Sequence, residues 1–153
     1  MRINKEGLDL IKKFEGLRLK AYVCPAKKLT IGYGSTWYYD EDGDRRNVTS
    51  DMVINESMAE KMLLDNVRYF EELVTRTISV KLNENQFSAL VSYFFNIGFS
   101  DTMVKLINSG DSPANIYDWW VSHYITAGGV RLEGLVKRRE AEADLYFKEV
   151  KKK

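Results

Sequence analysis

The hydrophobic periodicity of the chain changes at Gly16, and this change restricts the fold more than any other feature. Before Gly16, apolar residues recur at helical spacing, with Asn4 suited to cap a helix that ends near Glu15. After it, residues 17–23 alternate between apolar and polar, and a second apolar run follows at residues 29–34. The pattern predicts one helix followed by a small antiparallel sheet.

The remainder of the chain has mainly helical periodicity. Residues 40–47 predict a polar, turn-rich loop, and Gly128-Gly129 predicts another. The predicted helices cover about 55–77, 83–98, 101–108, 113–124 and 134–147. We therefore expect an α+β fold in a single domain, 1–153. A small sheet lobe at about 15–54 and a larger helical lobe at about 78–150 are joined by the long helix at about 55–77.

Composition sets further limits. The 153 residues carry a formal net charge of +1, although the first thirty are clearly basic, with eight basic and three acidic residues. A basic face can attract an anionic polymer, and an ordinary solvated surface is the alternative. The segment after Met1 is polar, so we expect neither a secretory signal nor a membrane anchor. With one Cys and one His, we expect no disulfide, no metal site and no cofactor.

Three residues near the predicted sheet carry side chains suited to catalysis. Glu15, Cys24 and Thr30 are spaced nine and then six residues apart. Cleavage of a glycosidic bond needs an acid for the leaving oxygen and a second group that delivers water or attacks the sugar. Taken singly, each residue has an ordinary structural explanation. Glu15 could be a surface carboxylate, Cys24 a small buried residue and Thr30 a plain strand residue.

Together with two later segments, residues 82–98 and 119–142, this trio resembles the signature of the phage-type lysozymes, glycoside hydrolase family 24. The resemblance covers most of the chain and implies a two-lobed lysozyme-like fold. It implies Glu15 as the general acid and Thr30 as a residue that orients water. In the family an Asp shares that task, and Cys24 stands in its place.

The resemblance also implies a saccharide groove. Phe95 and Asn96 are expected to line it, with Thr36 at the edge formed by the sheet lobe. Either Arg138 or Arg139 is expected to pair with an acidic group near the end of the first helix. Ordinary core packing remains open for Phe95, and a solvated helix face remains open for the two arginines.

The implied function is hydrolysis of the β-1,4 bond between N-acetylmuramic acid and N-acetylglucosamine, which lyses the bacterial host. We expect peptidoglycan as the partner, no nucleic acid, a monomer, and a holin-like protein that releases the enzyme from the host cytoplasm to the wall in the periplasm. A peptidoglycan-binding module of the same fold is the alternative.

Cys24 decides how such a reaction would proceed. An unperturbed thiol has a pKa of about 8.5, against about 3.9 for Asp. Three outcomes are open: a thiolate nucleophile with retention of configuration, a neutral thiol that helps Thr30 hold a water, and low or lost activity.

Overall fold

The computed structural model describes residues 1–24 and 27–150. Within these ranges the elements, in chain order, are α1 (Lys5–Glu15), β1 (Arg18–Val23), β2 (Leu29–Gly32), β3 (Trp37–Tyr39), β4 (Arg45–Asn47), α2 (Glu56–Thr77), α3 (Glu84–Ile97), α4 (Asp101–Asn108), α5 (Pro113–Ser122), β5 (Thr126–Ala127), β6 (Val130–Arg131) and α6 (Glu133–Phe147). The chain divides into two units. One unit is residues 11–69, here called the sheet unit. The other is residues 1–10 with 70–153, the helical unit.

The predicted first helix and the sheet that follows it are both present. The side chain of Asn4 accepts a hydrogen bond of 2.9 Å from the Gly7 amide at the start of α1. In the sheet unit, β1 and β2 run antiparallel, with Tyr22 opposite Thr30. The outer edge of β1 is covered by a segment before α2, since the Ile54 amide donates to the Leu19 carbonyl at 2.9 Å. This pairing shields an otherwise open strand edge.

The prediction of a loop over residues 40–47 was wrong in its second half. Residues 45–47 form strand β4, which pairs antiparallel with β3, and only the segment from Asp40 to Asp44 forms the turn. Strand β4 has the sequence Arg-Arg-Asn and is exposed throughout. A strand without a buried face has no apolar alternation, so its pattern could not be told from that of a loop.

A compact apolar cluster holds the sheet unit together. Its fully or nearly fully buried members come from α1, β2, β3 and the first half of α2: Ile11, Ile31, Trp37, Ala59, Met62, Leu63 and Val67. Burial of each Ile, Leu, Met or Val side chain in this set contributes about 1.5–3 kcal/mol. It includes Ile11 of α1 and Ile31 of β2, the two elements that carry Glu15 and Thr30.

The helical unit is built around α3, whose start the sequence predicts well. Asn83 and Gln86 form a reciprocal capping box, with bonds of 2.8 and 2.9 Å. Helix α5 ends at Ser122, two residues before the predicted end, and Tyr124 has a φ of 60°. The segment around Gly128-Gly129 is the turn of a short hairpin, β5–β6.

The last helix, α6, packs on α3 through buried charges. Glu142 is completely buried and accepts bonds from Arg138 Nε at 3.2 Å, Arg139 Nη1 at 2.8 Å and Ser92 Oγ at 2.6 Å. The alternative of a solvated helix face for the two arginines was therefore wrong, since both are buried. Whether either also pairs with an acidic group near α1 stays a prediction. Among the described residues, the helices lack the combination of length and apolar character that crossing a bilayer requires.

Candidate active site

Glu15 occupies the last position of α1, where the chain turns toward the sheet. Its side chain is half-buried, and Gly16 follows with a φ of +70°. The backbone of Gly34, after strand β2, lies directly against the Glu15 carboxyl group. A methyl group at Gly34 would come within 2.7 Å of Glu15 Cδ and closer still to Oε1. The Gly34 backbone therefore forms one wall of the position that the carboxyl group occupies.

Cys24 and Thr30 are joined through one carbonyl group. The Cys24 amide donates to the Lys28 carbonyl at 2.9 Å, and Thr30 Oγ1 donates to the same oxygen at 3.0 Å. Cys24 is half-buried just after β1, whereas Thr30 on β2 is only 3% exposed. The β1–β2 hairpin thus brings the second and third residues of the predicted trio to one end of the sheet.

Tyr22 lies beside the predicted trio, a position that the sequence pattern did not reveal. It lies opposite Thr30 in the β1–β2 register, and the Arg18 guanidinium stacks 4.8 Å from its ring centre. Its pKa is raised, chiefly by burial and then by electrostatic interaction with Glu15 and, to a smaller extent, with Cys24, while Arg18 lowers it. The electrostatic coupling puts Glu15, Tyr22 and Cys24 in one neighbourhood of the sheet unit.

Strand register could have identified Tyr22 once the hairpin was assumed. Residues two apart on a strand share a face, so Tyr22 lies on the same side as position 24. The sequence does not give the register of the two strands, so the pairing of Tyr22 with Thr30 could not be predicted.

Thr36, predicted at the edge of the saccharide groove, is half-buried and borders a cavity of about 320 Å³ in the sheet unit. Its carbonyl accepts a bond of 3.0 Å from the Val48 amide. The rest of the cavity wall consists of Lys28, Leu29, Trp37, Arg45, Asn47 and Val48.

The other two predicted groove residues belong to the helical unit, at the end of α3. Phe95 is half-buried, with its ring centre 5.7 Å from that of Phe70. Asn96 is exposed, and its Oδ1 accepts a hydrogen bond from Arg139 Nη2. Both residues therefore have some surface that a ligand could contact. The contact with Arg139 orients the amide group of Asn96 so that its Nδ2 group can donate a hydrogen bond.

Three carboxylates meet in the β3–β4 turn. Oxygen atoms of Asp40, Asp42 and Asp44 lie within 4.8 Å of one another. Asp40 is already engaged by the Arg46 side chain at 2.8 Å and by the amides of Asp42 and Asp44. These bonds lower the pKa of Asp40, and that from Arg46 has the largest effect. The Asp40 oxygens therefore already have a structural role in the turn.

Known proteins match this fold and sequence over nearly the whole chain. The phage lysozyme family model matches residues 12–142. The endolysin of Acyrthosiphon pisum secondary endosymbiont phage 1 is 36% identical over 152 residues, covering 95% of this chain and 98% of that protein. The solved endolysin from Escherichia coli O157:H7 phage FAHEc1 is 38% identical with a TM-score of 0.78, covering 100% of this chain and 98% of that one.

A further relative is longer than this chain. The endolysin of Bacillus phage B103 is 40% identical over 155 residues, which cover 96% of this chain and 54% of that protein. This chain therefore spans about half the length of the B103 protein and nearly the full length of the two relatives above.

These similarities define the class of protein first: an α+β glycosidase with the lysozyme-like fold. The chain belongs to the phage lysozyme family. It is accordingly an enzyme of the muramidase type, an endolysin that hydrolyses peptidoglycan.

Proposed function

We propose that Glu15 is the general acid of this muramidase reaction. It protonates the oxygen of the β-1,4 bond between N-acetylmuramic acid and N-acetylglucosamine as that bond breaks. The observation that supports this role most directly is the close approach of the Glu15 carboxyl group to the Gly34 backbone, in the same unit as Cys24 and Thr30. A fixed geometry is what proton transfer in the transition state requires.

Cys24 is the nucleophile in this proposal. Its thiolate sulfur attacks the anomeric carbon of the muramic acid residue while the bond to the leaving oxygen breaks and Glu15 gives that oxygen its proton. Water then attacks the same carbon and gives a proton to the Glu15 carboxylate, and the thiolate leaves. Two displacements at one carbon retain its configuration.

Thr30 lies beside Cys24, so a water that it holds would attack the sugar from the same face as the sulfur, and this role belongs to the alternative in which Cys24 is a neutral thiol. Its hydroxyl proton is committed to the Lys28 carbonyl, so its oxygen is left to accept a hydrogen bond from such a water. A hydroxyl used in this way orients water but is not a base. If Cys24 stayed a neutral thiol, no member of the trio would take up the proton of the water on that face. This chemistry favours the nucleophile role over the water-holding role.

For the glycan contacts, we propose Thr36 on the sheet unit and Phe95 and Asn96 on the helical unit. Thr36 is a half-buried residue at the cavity, Phe95 is half-buried, and Asn96 is exposed with its amide oriented by Arg139. Sugars are bound by such combinations of apolar surface and fixed hydrogen-bonding groups.

Clearing of permeabilised Gram-negative cells tests the assignment of Glu15. The Glu15→Gln variant keeps the shape of the side chain but cannot donate a carboxylic proton, so its rate should fall by about 10²–10⁴-fold. A wall-binding assay on the same variant should show retained binding. Near wild-type clearing by Glu15→Gln would exclude Glu15 as the acid, and wall binding without clearing by the wild type would identify a binding module.

We propose that the enzyme is a monomer, held in the host cytoplasm until a holin-like membrane lesion admits it to the periplasm. The family resemblance supports this route. Expression in Escherichia coli with and without a holin tests the release step, because clearing should require the holin while the cytoplasmic fraction contains active enzyme in both cases. Light scattering on the purified protein should give the monomer mass.

A further inference from the structure

Strand β1 and the residues around it are largely open to solvent. Residues 16–20 are exposed without interruption, and Val23, Lys27 and Lys28 are exposed as well. Successive residues of a strand point to opposite sides, so the exposed run at 18–20 leaves both faces of β1 accessible. The described residues 16–24 and 27–28 are here called the β1 ribbon.

Large apolar side chains lie open along this ribbon. Val23 is 63% exposed, Leu19 42% and Leu17 38%. Single apolar residues are ordinary on a protein surface and need no explanation. Three of them within the short stretch 17–23 are instead typical of a surface that contacts a partner.

The ribbon is also strongly cationic. Its exposed cations are Arg18, Lys20, Lys27 and Lys28, and the sequence from 16 to 28 contains no Asp or Glu. In the part of the chain that the structure describes, none of these four cations forms an ion pair with a carboxylate. The ribbon therefore presents a concentrated positive charge that attracts anionic partners.

Backbone pairing limits how a partner can bind. On one side β1 pairs with β2. On the other, the Ala21 amide donates to the Met52 carbonyl at 3.1 Å, and the Ile54 amide donates to the Leu19 carbonyl at 2.9 Å. Over residues 19–21 an incoming strand thus finds both edges taken, so a partner contacts side chains. A second copy of the ribbon would bring like charges together, which opposes self-association.

An anionic lipid bilayer fits both properties of the ribbon. Its headgroups present phosphates to cations, and an apolar phase begins within about 5–10 Å of them. A soluble anionic polymer attracts the same charges but offers Leu19 and Val23 no apolar environment. A neutral apolar surface accepts these two side chains but gives no partner to the cations. The combination of charge and apolar surface therefore favours the bilayer.

We propose that the β1 ribbon binds the surface of membranes that contain anionic lipid. Leu19 and Val23 enter the boundary between headgroups and acyl chains, while Lys20 and Lys28 reach the lipid phosphates with their long side chains. The contact is peripheral and reversible, and it does not depend on cleavage of the wall. Because Cys24 directly follows Val23, bound lipid also shields the Cys24 thiol from solvent.

Vesicle flotation tests this surface. The wild type should bind vesicles of mixed phosphatidylglycerol and phosphatidylcholine but not vesicles of phosphatidylcholine alone, and added salt should weaken the binding. Lys20→Gln should weaken it about fivefold, since it removes one cation at the lipid surface. The double variant Leu19→Ser, Val23→Ser should weaken it at least about tenfold. Failure of the wild type to bind the anionic vesicles would overturn the proposal.

Val130→Ser and Arg131→Gln on strand β6 are the matched controls. Val130 is 62% exposed, close to the value for Val23, and Arg131 is an exposed cation next to it. Both variants should bind the anionic vesicles as the wild type does, and losses equal to those in the ribbon variants would overturn the assignment of the surface. A loss in Lys20→Gln with none in the double variant would overturn lipid insertion, because the contact would then be purely electrostatic.

The single cysteine of the chain gives a readout that needs no variant. Alkylation of Cys24 by iodoacetamide should slow in proportion to the fraction of protein bound to anionic vesicles, and it should not change with neutral vesicles. Thermal unfolding of each variant shows whether it still folds. If the double variant does not fold, the alkylation rate decides, because an unchanged rate in vesicle-bound wild type would place the lipid contact elsewhere and overturn the proposal.

Discussion

The backbone of Gly34 lies against the carboxyl group of Glu15, so that a methyl group at this position would have to push the carboxyl group aside. Gly34 also has a φ of +76°, which other residues adopt only with strain. Two features therefore favour glycine at position 34: the positive φ of the turn and the close contact with the Glu15 carboxyl group. The conformation of the chain after β2 and the position of the predicted general acid are therefore linked through Gly34.

Gly34→Ala should consequently damage activity more than stability. The added methyl group displaces the Glu15 carboxyl group, and a misplacement of about 1 Å can cost about 100-fold in rate. The positive φ should cost about 1–2 kcal/mol in the free energy of unfolding. Initial rates of wall clearing and urea unfolding measure the two effects.

Gly43→Ala is the control for Gly34→Ala. Gly43 has a similar φ of +82°, but a methyl group there would meet no atom within 4 Å. We expect the same loss of stability with nearly unchanged clearing rate. If the two variants lost activity equally, the contact with Glu15 would be irrelevant to catalysis.

Substitutions at Cys24 distinguish the nucleophile from a residue that merely holds water. Cys24→Asp should remain active, because a carboxylate can attack the sugar or activate a water. Cys24→Ser should lose at least about 100-fold, since a hydroxyl is neither a base nor readily ionised. The Cys24→Ser variant keeps the size of the side chain, so its thermal unfolding should stay close to that of the wild type.

The anomeric configuration of the first product, followed by NMR, separates the two mechanisms directly. Retention by the wild type is expected from a thiolate nucleophile. Inversion, or a Cys24→Ser enzyme as fast as the wild type, would remove Cys24 from the nucleophile role and leave it beside Thr30 as a group that positions water.

Glu142 should be among the costliest single substitutions in the helical unit. Its buried carboxylate is shared by two buried guanidinium groups and the Ser92 hydroxyl. Replacing it with Gln removes the charge that balances them, and breaking a buried pair of this kind costs about 3–5 kcal/mol. Urea unfolding of Glu142→Gln measures this loss.

The exposed pair of Lys5 and Asp9, at 3.1 Å on α1, gives the matched control. Asp9→Asn removes the same kind of charge at solvent, where such pairs contribute about 0.2–1 kcal/mol. A Glu142→Gln variant no less stable than Asp9→Asn would show that the buried charges contribute little net stability.

Much of this architecture could be predicted because its signals are local. The Glu15-Gly16 helix end, the capping residues around Asn83 and the long helix α2 each follow from residues close together in sequence. A helix cap or an amphipathic stripe depends only on a few residues close together in the chain. It can therefore be recognised in the sequence before the fold is known.

The remaining features depend on strand register and burial, which neighbouring residues do not determine. Strand β4 is polar throughout and is a strand only because it pairs with β3. The position of Tyr22 opposite Thr30 follows from a β1–β2 register that contains an irregularity. Arg138 and Arg139 belong to a helix whose polar sequence suggests solvent, and their burial follows from the carboxylate of Glu142.

Alkaline pH should unfold the protein through its buried tyrosines. Burial raises the pKa of Tyr93 and of Tyr146 above the ordinary value near 10. In the folded state both rings then keep their protons at a pH where the unfolded chain loses them. Stability from these groups is complete below pH about 10 and is lost as pH rises from there toward the folded-state pKa, by up to about 1.4 kcal/mol per pH unit for each ring.

Tyr146→Phe tests this pH dependence with little change in packing, because the ring remains and the ionisable hydroxyl is removed. Its free energy of unfolding should fall less steeply above about pH 10 than that of the wild type, because one ionisable group with a raised pKa has been removed. Urea unfolding at a series of pH values gives this slope, and tyrosinate absorbance at alkaline pH follows the titration itself. Parallel stability curves for the two proteins, with all tyrosines titrating near pH 10, would show that burial does not hold the Tyr146 proton.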